Sequence, residues 1–339
     1  SDNVGYALKF NVEKSILNAD TLKNKLTTNI TYQLINQNFT ALERYRPVEF
    51  ERDRNIQTPF LNNENYLDLM LNYKHKKTFY GQYQVALLNS KNDYEGLRNV
   101  FNTSLQKSGF TFHLNSSLLN TETENNKTQF IRYLTGISKS FRKIKFGIEN
   151  ELEHNEWNNL ETDSLLSNSF NFSSYRVYIQ NSDSTVNQFT ASYLLRNDLL
   201  PKNNEFKQAT QSEDFNLGFG LLKNPASILK TNFTYRKLKI LDSALTKNTE
   251  ENNITGRVSY NFRLFKGAIT SSIFYEAGSG LEPKKEYSYL KVSAGQGVYT
   301  WTDYNQNAIA ELDEFEIAQF QDEANYIRIY TPGSEYIKT

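Results

Sequence analysis

Apolar and polar residues alternate along much of this chain. Residues 6–13 show the pattern first, since the even positions carry Tyr, Leu, Phe and Val while the odd positions carry Ala, Lys, Asn and Glu. The same alternation recurs at 30–34, 67–73, 110–115 and 144–153, and again at 257–264. A period of two predicts β-strands with one apolar and one polar face. Helical periodicity is scarce.

Polar stretches rich in Asn, Ser, Thr, Lys and Glu separate these runs, for example at 120–128, 153–168 and 247–255. They are typical of turns and loops. Some connections are short and others long, which predicts an up-and-down meander with unequal ends. We expect about 14 to 16 strands of about 9 to 13 residues each.

Two architectures fit this alternation: an antiparallel sheet or sandwich in water, and an outer-membrane barrel whose polar residues face a lumen. Strand length favours the second, because strands in soluble proteins run about five or six residues and tilted membrane strands need about 9 to 11. The fold prediction is therefore an all-β antiparallel up-and-down meander that forms an outer-membrane β-barrel or part of one.

One charged stretch, residues 43–55, interrupts the meander. Its charges alternate in sign, and Pro47 would damage a central strand because it cannot donate a backbone hydrogen bond. We expect this stretch to lie in a loop or at an edge with its charges solvated or paired internally. A ligand-binding strip is the alternative.

Composition removes several function classes. The 38 Lys and Arg residues balance the 38 Asp and Glu residues, so no net charge recruits nucleic acid, and we expect no nucleic-acid partner. Cys is absent, which excludes disulfides and cysteine nucleophiles, and three His residues offer little for zinc. The longest apolar runs are far shorter than a membrane helix requires.

The most specific motif lies at Asp303–Glu314. Oxygen-bearing side chains fall at relative positions 1, 3, 5, 9 and 12, the spacing of a twelve-residue calcium loop. The predicted structural Ca²⁺ ligands are the side chains of Asp303, Asn305, Asn307, Glu311 and Glu314 and the carbonyl of Ile309.

This loop departs from an EF-hand in two ways. Ala308 stands where Gly normally allows the sharp turn, and the apolar residue falls at position 7, not 8. The second departure resembles the calcium loops of thrombospondin type 3 repeats. A polar turn that caps a following helix is the alternative, because Glu311–Asn325 is the one stretch with a convincing helical pattern.

Catalytic motifs are missing from the sequence: it contains no nucleophile elbow, zinc-protease helix, phosphate loop or dinucleotide fingerprint. Glu149, Glu151 and Glu153 share one strand face and could be read as an acid pair for polysaccharide hydrolysis. A polar strand face is the simpler interpretation, and we expect no enzyme activity.

The expected organisation has three parts: a β-meander at 1–292, a calcium-like loop with a short helix at 293–325, and the start of a further strand at 326–339. The sequence starts without Met, a basic region or an apolar stretch, so we expect either that a signal peptide has been removed or that the sequence begins within a longer protein; it ends directly after a strand-like run. We expect it to be an excised segment of a longer protein.

Three stretches, 45–53, 289–301 and 321–328, together resemble large uncharacterised surface proteins of the Bacteroidota. The resemblance implies an outer-membrane β-protein, located at the cell surface of a Gram-negative bacterium. The functional expectation is a noncatalytic outer-membrane protein in transport, protein export or envelope assembly, with the lipid bilayer and other envelope proteins as partners. A soluble, calcium-stabilised extracellular β-protein that binds a surface ligand is the alternative.

Overall fold

The computed structural model describes residues 4–18, 24–41, 46, 48–56, 63–91, 93–181, 186–279, 281–293, 295–303, 310–318, 320 and 322–338. The chain forms two compact units, Ser1–Ala277 and Gly278–Thr339. The first unit ends at Ala277, whereas the predicted meander ends at residue 292. The two ends differ because the strand that follows the first unit joins a different sheet.

The first unit is a 14-stranded sheet with the strand order of the sequence. Its strands are β1 (Ala7–Asn18), β2 (Asn24–Ile35), β3 (Glu64–His75), β4 (Phe79–Ser90), β5 (Tyr94–Lys107), β6 (Phe110–Glu122) and β7 (Asn126–Phe141). They continue with β8 (Ile144–Asn159), β9 (Phe170–Asn181), β10 (Gln188–Lys202), β11 (Glu205–Leu221), β12 (Ser227–Ile240), β13 (Glu251–Leu264) and β14 (Ile269–Gly278). The prediction of an all-β antiparallel meander is confirmed.

The sheet is open in the part of the chain that the structure describes. Each strand lies beside its sequence neighbours, and β1 and β14 form the two edges without pairing to each other. The strands run from 10 residues in β14 to 17 in β11, which is long for a globular protein.

Tight turns join several strands because their residues adopt positive φ. Ser108 and Gly109, with φ of 51° and 79°, connect β5 to β6, and Asn203 and Asn204, with φ of 53° and 63°, connect β10 to β11. Two consecutive positive φ values match the right-handed twist of paired strands, and Gly and Asn adopt them at low cost.

The two ends of the strands differ in their connections. Residues 36–63, 160–169 and 241–250 form the three longest connections, and all of them lie at the end where β2 finishes and β3 begins. Connections at the opposite end span at most the six residues 182–187. The predicted inequality of the two ends is therefore present.

Strand register carries the alternating pattern across the sheet. Ile148 lies opposite Val177, Val177 opposite Tyr193, and Tyr193 opposite Phe215. Directly opposed residues point to the same side of a sheet, so the apolar positions of successive strands form one continuous apolar face. The intervening positions form a polar face.

The apolar face is exposed. Ile148 and Val177 keep 55% and 53% of their surface accessible, and many large side chains on other strands of this face are similarly exposed. The buried core lies instead on the polar face, near the end of the strands that carries connection 36–63. Its large apolar members are Leu88, Tyr94, Leu119, Phe130 and Trp157.

The second unit is a four-stranded sheet in the order β15-β18-β16-β17. Its strands are β15 (Leu281–Lys291), β16 (Tyr299–Trp301), β17 (Phe315–Ile317) and β18 (Tyr326–Lys338). Phe315 stacks on Tyr289 with ring centroids 3.9 Å apart and also contacts Tyr326.

The predicted helix at Glu311–Asn325 is wrong. Among the described residues of this stretch, only Leu312–Glu314 is helical, as a single 3₁₀ turn, and β17 follows it at once. Phe315 packs among aromatic rings while β17 pairs with β16, and these tertiary contacts override a weak helical preference.

Helices of the described residues are short. None is long and apolar enough to cross a membrane.

Candidate functional site: the inner segment on the polar face

A charged stretch of connection 36–63 lies against the polar face of the first unit. We call residue 46 together with residues 48–56 the inner segment. It contains the helix α1 (Val48–Arg52), whose first turn carries Glu49 and Glu51 and whose last turn carries Arg52. This order of charges favours the helix, because the helix dipole attracts anions to its first turn and cations to its last.

A turn at residues 53–55 follows the helix, and Asn55 is its last residue. Its φ of 53° lies in the left-handed region, which Asn tolerates better than most residues. The amides of Arg54 and Ile56 donate to the carbonyl of Glu51 at 3.1 and 3.0 Å, which satisfies the end of this single turn. The segment is therefore a compact unit that presents the side chains of Asp53, Arg54 and Asn55 to the sheet.

Asp53 is the central ionic contact of the inner segment. Its Oδ2 lies 3.0 Å from Nη2 of Arg98 in β5, and its Oδ1 lies 2.7 Å from Nη2 of Arg132 in β7. The three side chains are only 15–24% exposed. Low exposure reduces screening by water, so this arrangement binds the segment more firmly than a surface ion pair would.

Asn55 adds a buried amide contact. Its Nδ2 donates to Oγ1 of Thr128 at 2.9 Å and to Oδ1 of Asn155 at 2.8 Å, and Nδ2 of Asn155 donates back to Oδ1 of Asn55 at 3.0 Å. Asn55 and Asn155 are buried. Two reciprocal amide bonds satisfy groups that would otherwise be costly to bury.

Arg54 is the most buried charge of the segment, with 5% of its surface exposed. Its Nη2 donates to the hydroxyl of Tyr66 at 3.0 Å, and its guanidinium stacks 3.7 Å above the ring of Phe50. Tyr94 donates its hydroxyl to the carbonyl of Arg54 at 2.6 Å. Burial lowers the pKa of the Arg54 guanidinium from its ordinary value.

These contacts require the sheet to curve around the segment. Arg54 reaches β3 at Tyr66, and the next residue, Asn55, reaches β8 at Asn155. β3 and β8 are five strand spacings apart in the sheet order, or about 24 Å at about 4.8 Å per spacing. Adjacent residues contact both strands only if the polar face is concave.

The three glutamates of β8 lie on this polar face. Glu149 pairs with Arg176 at 3.1 Å, and Glu153 pairs with Arg52 of the inner segment at 3.4 Å. Oε2 of Glu151 accepts a 3.5 Å hydrogen bond from Ser174. Ion pairs and hydrogen bonds of this kind account for the polar strand face that the sequence predicts.

The predicted calcium ligands are only partly described. Asn305, Asn307 and Ile309 lie outside the described residues, whereas Asp303, Glu311 and Glu314 lie within them. The described residues contain no group of three or more acidic or His side chains placed to hold a metal.

Glu314 has a structural role in the same loop. Its Oε2 accepts from Nε1 of Trp301 at 2.9 Å and from the amide of Glu311 at 3.3 Å, and Glu311 and Glu314 cap the 3₁₀ turn reciprocally. Carboxylate oxygens suit calcium, but a bidentate Glu314 would have to share Oε2 with these two donors. The calcium site stays a prediction.

The sequence pattern predicted that the charges of this stretch are solvated or paired internally, and it did not predict their partners. Arg98 and Arg132 lie on the polar faces of β5 and β7, in phase with the other polar positions. Each arginine is the one charged residue on the polar face of its strand, and this was the available signal. No protein-family model, curated protein or solved structure matches the chain.

Proposed function

We propose that this chain is a noncatalytic outer-membrane β-barrel protein, or a segment of one, that serves transport, protein export or envelope assembly. Its location is the outer membrane of a Gram-negative bacterium, in keeping with its resemblance to Bacteroidota surface proteins. The observation that carries the proposal is the exposed apolar face of β1–β14, and the principal partner is the lipid bilayer.

The apolar face is unusual for a protein in water. Four of its residues, on strands from β1 to β11, each expose roughly half or more of their surface: Phe10, Ile148, Val177 and Phe219. Soluble monomers rarely expose contiguous apolar patches larger than a few hundred Å². Lipid acyl chains are the natural environment for such a face, while a polar face suits an aqueous lumen.

Strand lengths and connections support the same proposal. A tilted membrane strand needs about 9 to 11 residues, and the shortest meander strand, β14, has 10. Outer-membrane barrels carry short turns at the periplasmic end and longer loops at the outer end. By this rule, connections 36–63, 160–169 and 241–250 belong to the outer end.

The inner segment would then occupy the lumen. Barrels of many strands often hold a loop or helix inside, and the ion pairs of Asp53 attach this segment firmly to the wall. In a bilayer an unpaired strand edge is very costly, so β1 and β14 would pair with each other or with further strands.

The proposal retains a structural calcium ion at residues 303–314. Asp303 and Glu311 would supply oxygen ligands, and Glu314 would contribute only as far as its hydrogen bonds to Trp301 and Glu311 allow.

Flotation of the protein with phospholipid vesicles tests the proposal. We expect the wild type to require detergent for purification and to float with the vesicles. Val177→Arg places a charge at the middle of β9 on the apolar face, which opposes insertion by about 2 to 4 kcal/mol in the bilayer centre. Gln180→Arg is the control, because Gln180 lies on the polar face of the same strand.

Insertion of Val177→Arg should fall strongly while Gln180→Arg inserts like the wild type. A wild-type protein that is monodisperse without detergent would overturn the proposal and favour the soluble extracellular alternative. Equal insertion of the two variants would show that the apolar face does not meet lipid.

A further inference from the structure

The polar face carries a second feature, away from the inner segment. A cavity of about 680 Å³ lies over β9–β13. Most of its lining side chains belong to the polar face, and its volume falls within the usual range of small-molecule sites, about 300 to 1,000 Å³.

Two glycines of β11 open the floor of this cavity. Gly218 lies between Thr190 and Asn232, and Gly220 lies between Gln188 and Lys230. A Cβ atom at Gly218 would lie 3.1 Å from Oδ1 of Asn232, closer than ordinary van der Waals contact. A larger residue at this position would therefore fill the floor.

The charged side chains that line the cavity are all cationic. They are Arg176, Lys230 and Arg257, and neither Asp nor Glu is among the described lining residues. The rest of the polar lining consists of amides and hydroxyls, including Gln188, Asn232 and others that donate hydrogen bonds. This lining is rich in donors and poor in anionic acceptors.

Carboxylates on neighbouring strands hold two of the cations in place. Glu149 pairs with Arg176 at 3.1 Å, and Glu276 forms a two-point pair with Arg257, with distances of 3.1 and 3.0 Å. Lys230 makes no ion pair within the described part of the chain and is exposed. The cavity therefore presents two oriented guanidinium groups and one ammonium group without a carboxylate of its own.

We propose that this cavity binds a hydrophilic oxyanion, such as a phosphorylated or carboxylated solute. Arg offers several N–H donors in a planar fork that matches phosphate and carboxylate oxygens, and Lys adds a compact positive charge. Arg and Lys clusters select anions in aqueous pores. The inference deepens the proposed function, because it gives the solute class, and it rests on the polar face bounding an aqueous lumen.

Inorganic pyrophosphate is a suitable probe, with the protein in an uncharged detergent and heat of binding as the readout. We expect saturable binding that weakens as KCl rises. Lys230→Glu replaces a positive charge in the cavity with a negative one. Loss of the attraction and gain of a repulsion each change the affinity several-fold, so the variant should bind pyrophosphate about tenfold more weakly.

Lys9→Glu is the matched control. Lys9 is exposed on the polar face of β1, outside the cavity, and its variant carries the same charge change. Its affinity should stay within about twofold of the wild type. Gly218→Trp adds a steric test and should also weaken binding, and melting temperatures of all variants report whether they fold.

Absence of saturable binding to the wild type would overturn the inference, as would equal weakening by Lys230→Glu and Lys9→Glu. Vesicle flotation separates this result from the proposed function. A protein that floats but does not bind pyrophosphate refutes the cavity alone, and one that binds but does not float refutes the membrane location alone.

Discussion

The carboxylate of Asp53 lies 2.7 Å from the guanidinium of Arg132, although 79 residues separate them in sequence. Arg98 approaches the other oxygen of the same carboxylate at 3.0 Å. One acidic side chain thus joins the connection between β2 and β3 to two strands farther along the sheet. Removing it leaves two poorly exposed arginines close together.

Asp53→Asn should loosen the inner segment. The amide keeps the shape of the side chain but loses its charge, so the attachment should weaken by about 2 to 3 kcal/mol. Proteolysis within residues 36–63 should become much faster, which gel electrophoresis and mass spectrometry of the fragments will measure. Glu49→Gln is the control, because Glu49 lies in the same inner segment but is exposed. Similar cleavage rates for the two variants would contradict the assigned role of Asp53.

Asn55→Gly separates the amide contact from the backbone requirement. Glycine accepts the positive φ of Asn55, so its effect reports the loss of the bonds to Asn155 and Thr128. We expect a loss of about 1 to 3 kcal/mol in unfolding free energy, because Asn155 keeps a buried amide without its partner. Asn55→Ala should cost about 1 kcal/mol more, owing to left-handed strain. Denaturant unfolding in micelles measures both values, and equal stability of Asn55→Ala and Asn55→Gly would argue against the strain.

Gly147→Ala should destabilise the sheet. The ring of Tyr178 covers Gly147 from the neighbouring strand, and a Cβ atom there would lie 2.2 Å from Cζ of Tyr178. Moving a buried ring should cost about 1 to 3 kcal/mol. Gly256→Ala is the comparison, because a Cβ atom there approaches only the carbonyl of Ala277, at 3.9 Å. A melting temperature for Gly256→Ala below that of Gly147→Ala would refute this account.

Calcium should raise the melting temperature of the second unit. The expected ligands include Asp303 and Glu311, so EDTA should reverse the shift and Asp303→Asn should reduce it. The near-ultraviolet circular dichroism of Trp301 is a local readout, since its indole donates to Glu314 beside the predicted site. Magnesium at the same concentration is the ionic control. If added calcium does not change the melting temperature, the predicted site is absent.

Residues 43–55 lie in an environment that the sequence pattern predicts in part. Alternating charge and Pro47 indicated a loop or an edge whose charges are solvated or paired internally, and in the described residues Arg52 and Asp53 form ion pairs with the sheet. The partners could not be predicted, because Asp53 and Arg132 meet only after the four strands between them have formed and the sheet has curved. The helix at Glu311–Asn325 failed for a related reason, since Phe315 joins an aromatic cluster made by distant parts of the chain.

The alternation of apolar and polar residues by itself determined the strands, their two faces and the order of the meander. A period of two is a local property, and short connections force neighbouring strands to pair. Only the tertiary structure decided that the polar face curves around the inner segment and carries the buried core. It also decided that three cations of this face lie around one cavity over β9–β13. These features depend on register and curvature across many strands, which no single stretch of sequence contains.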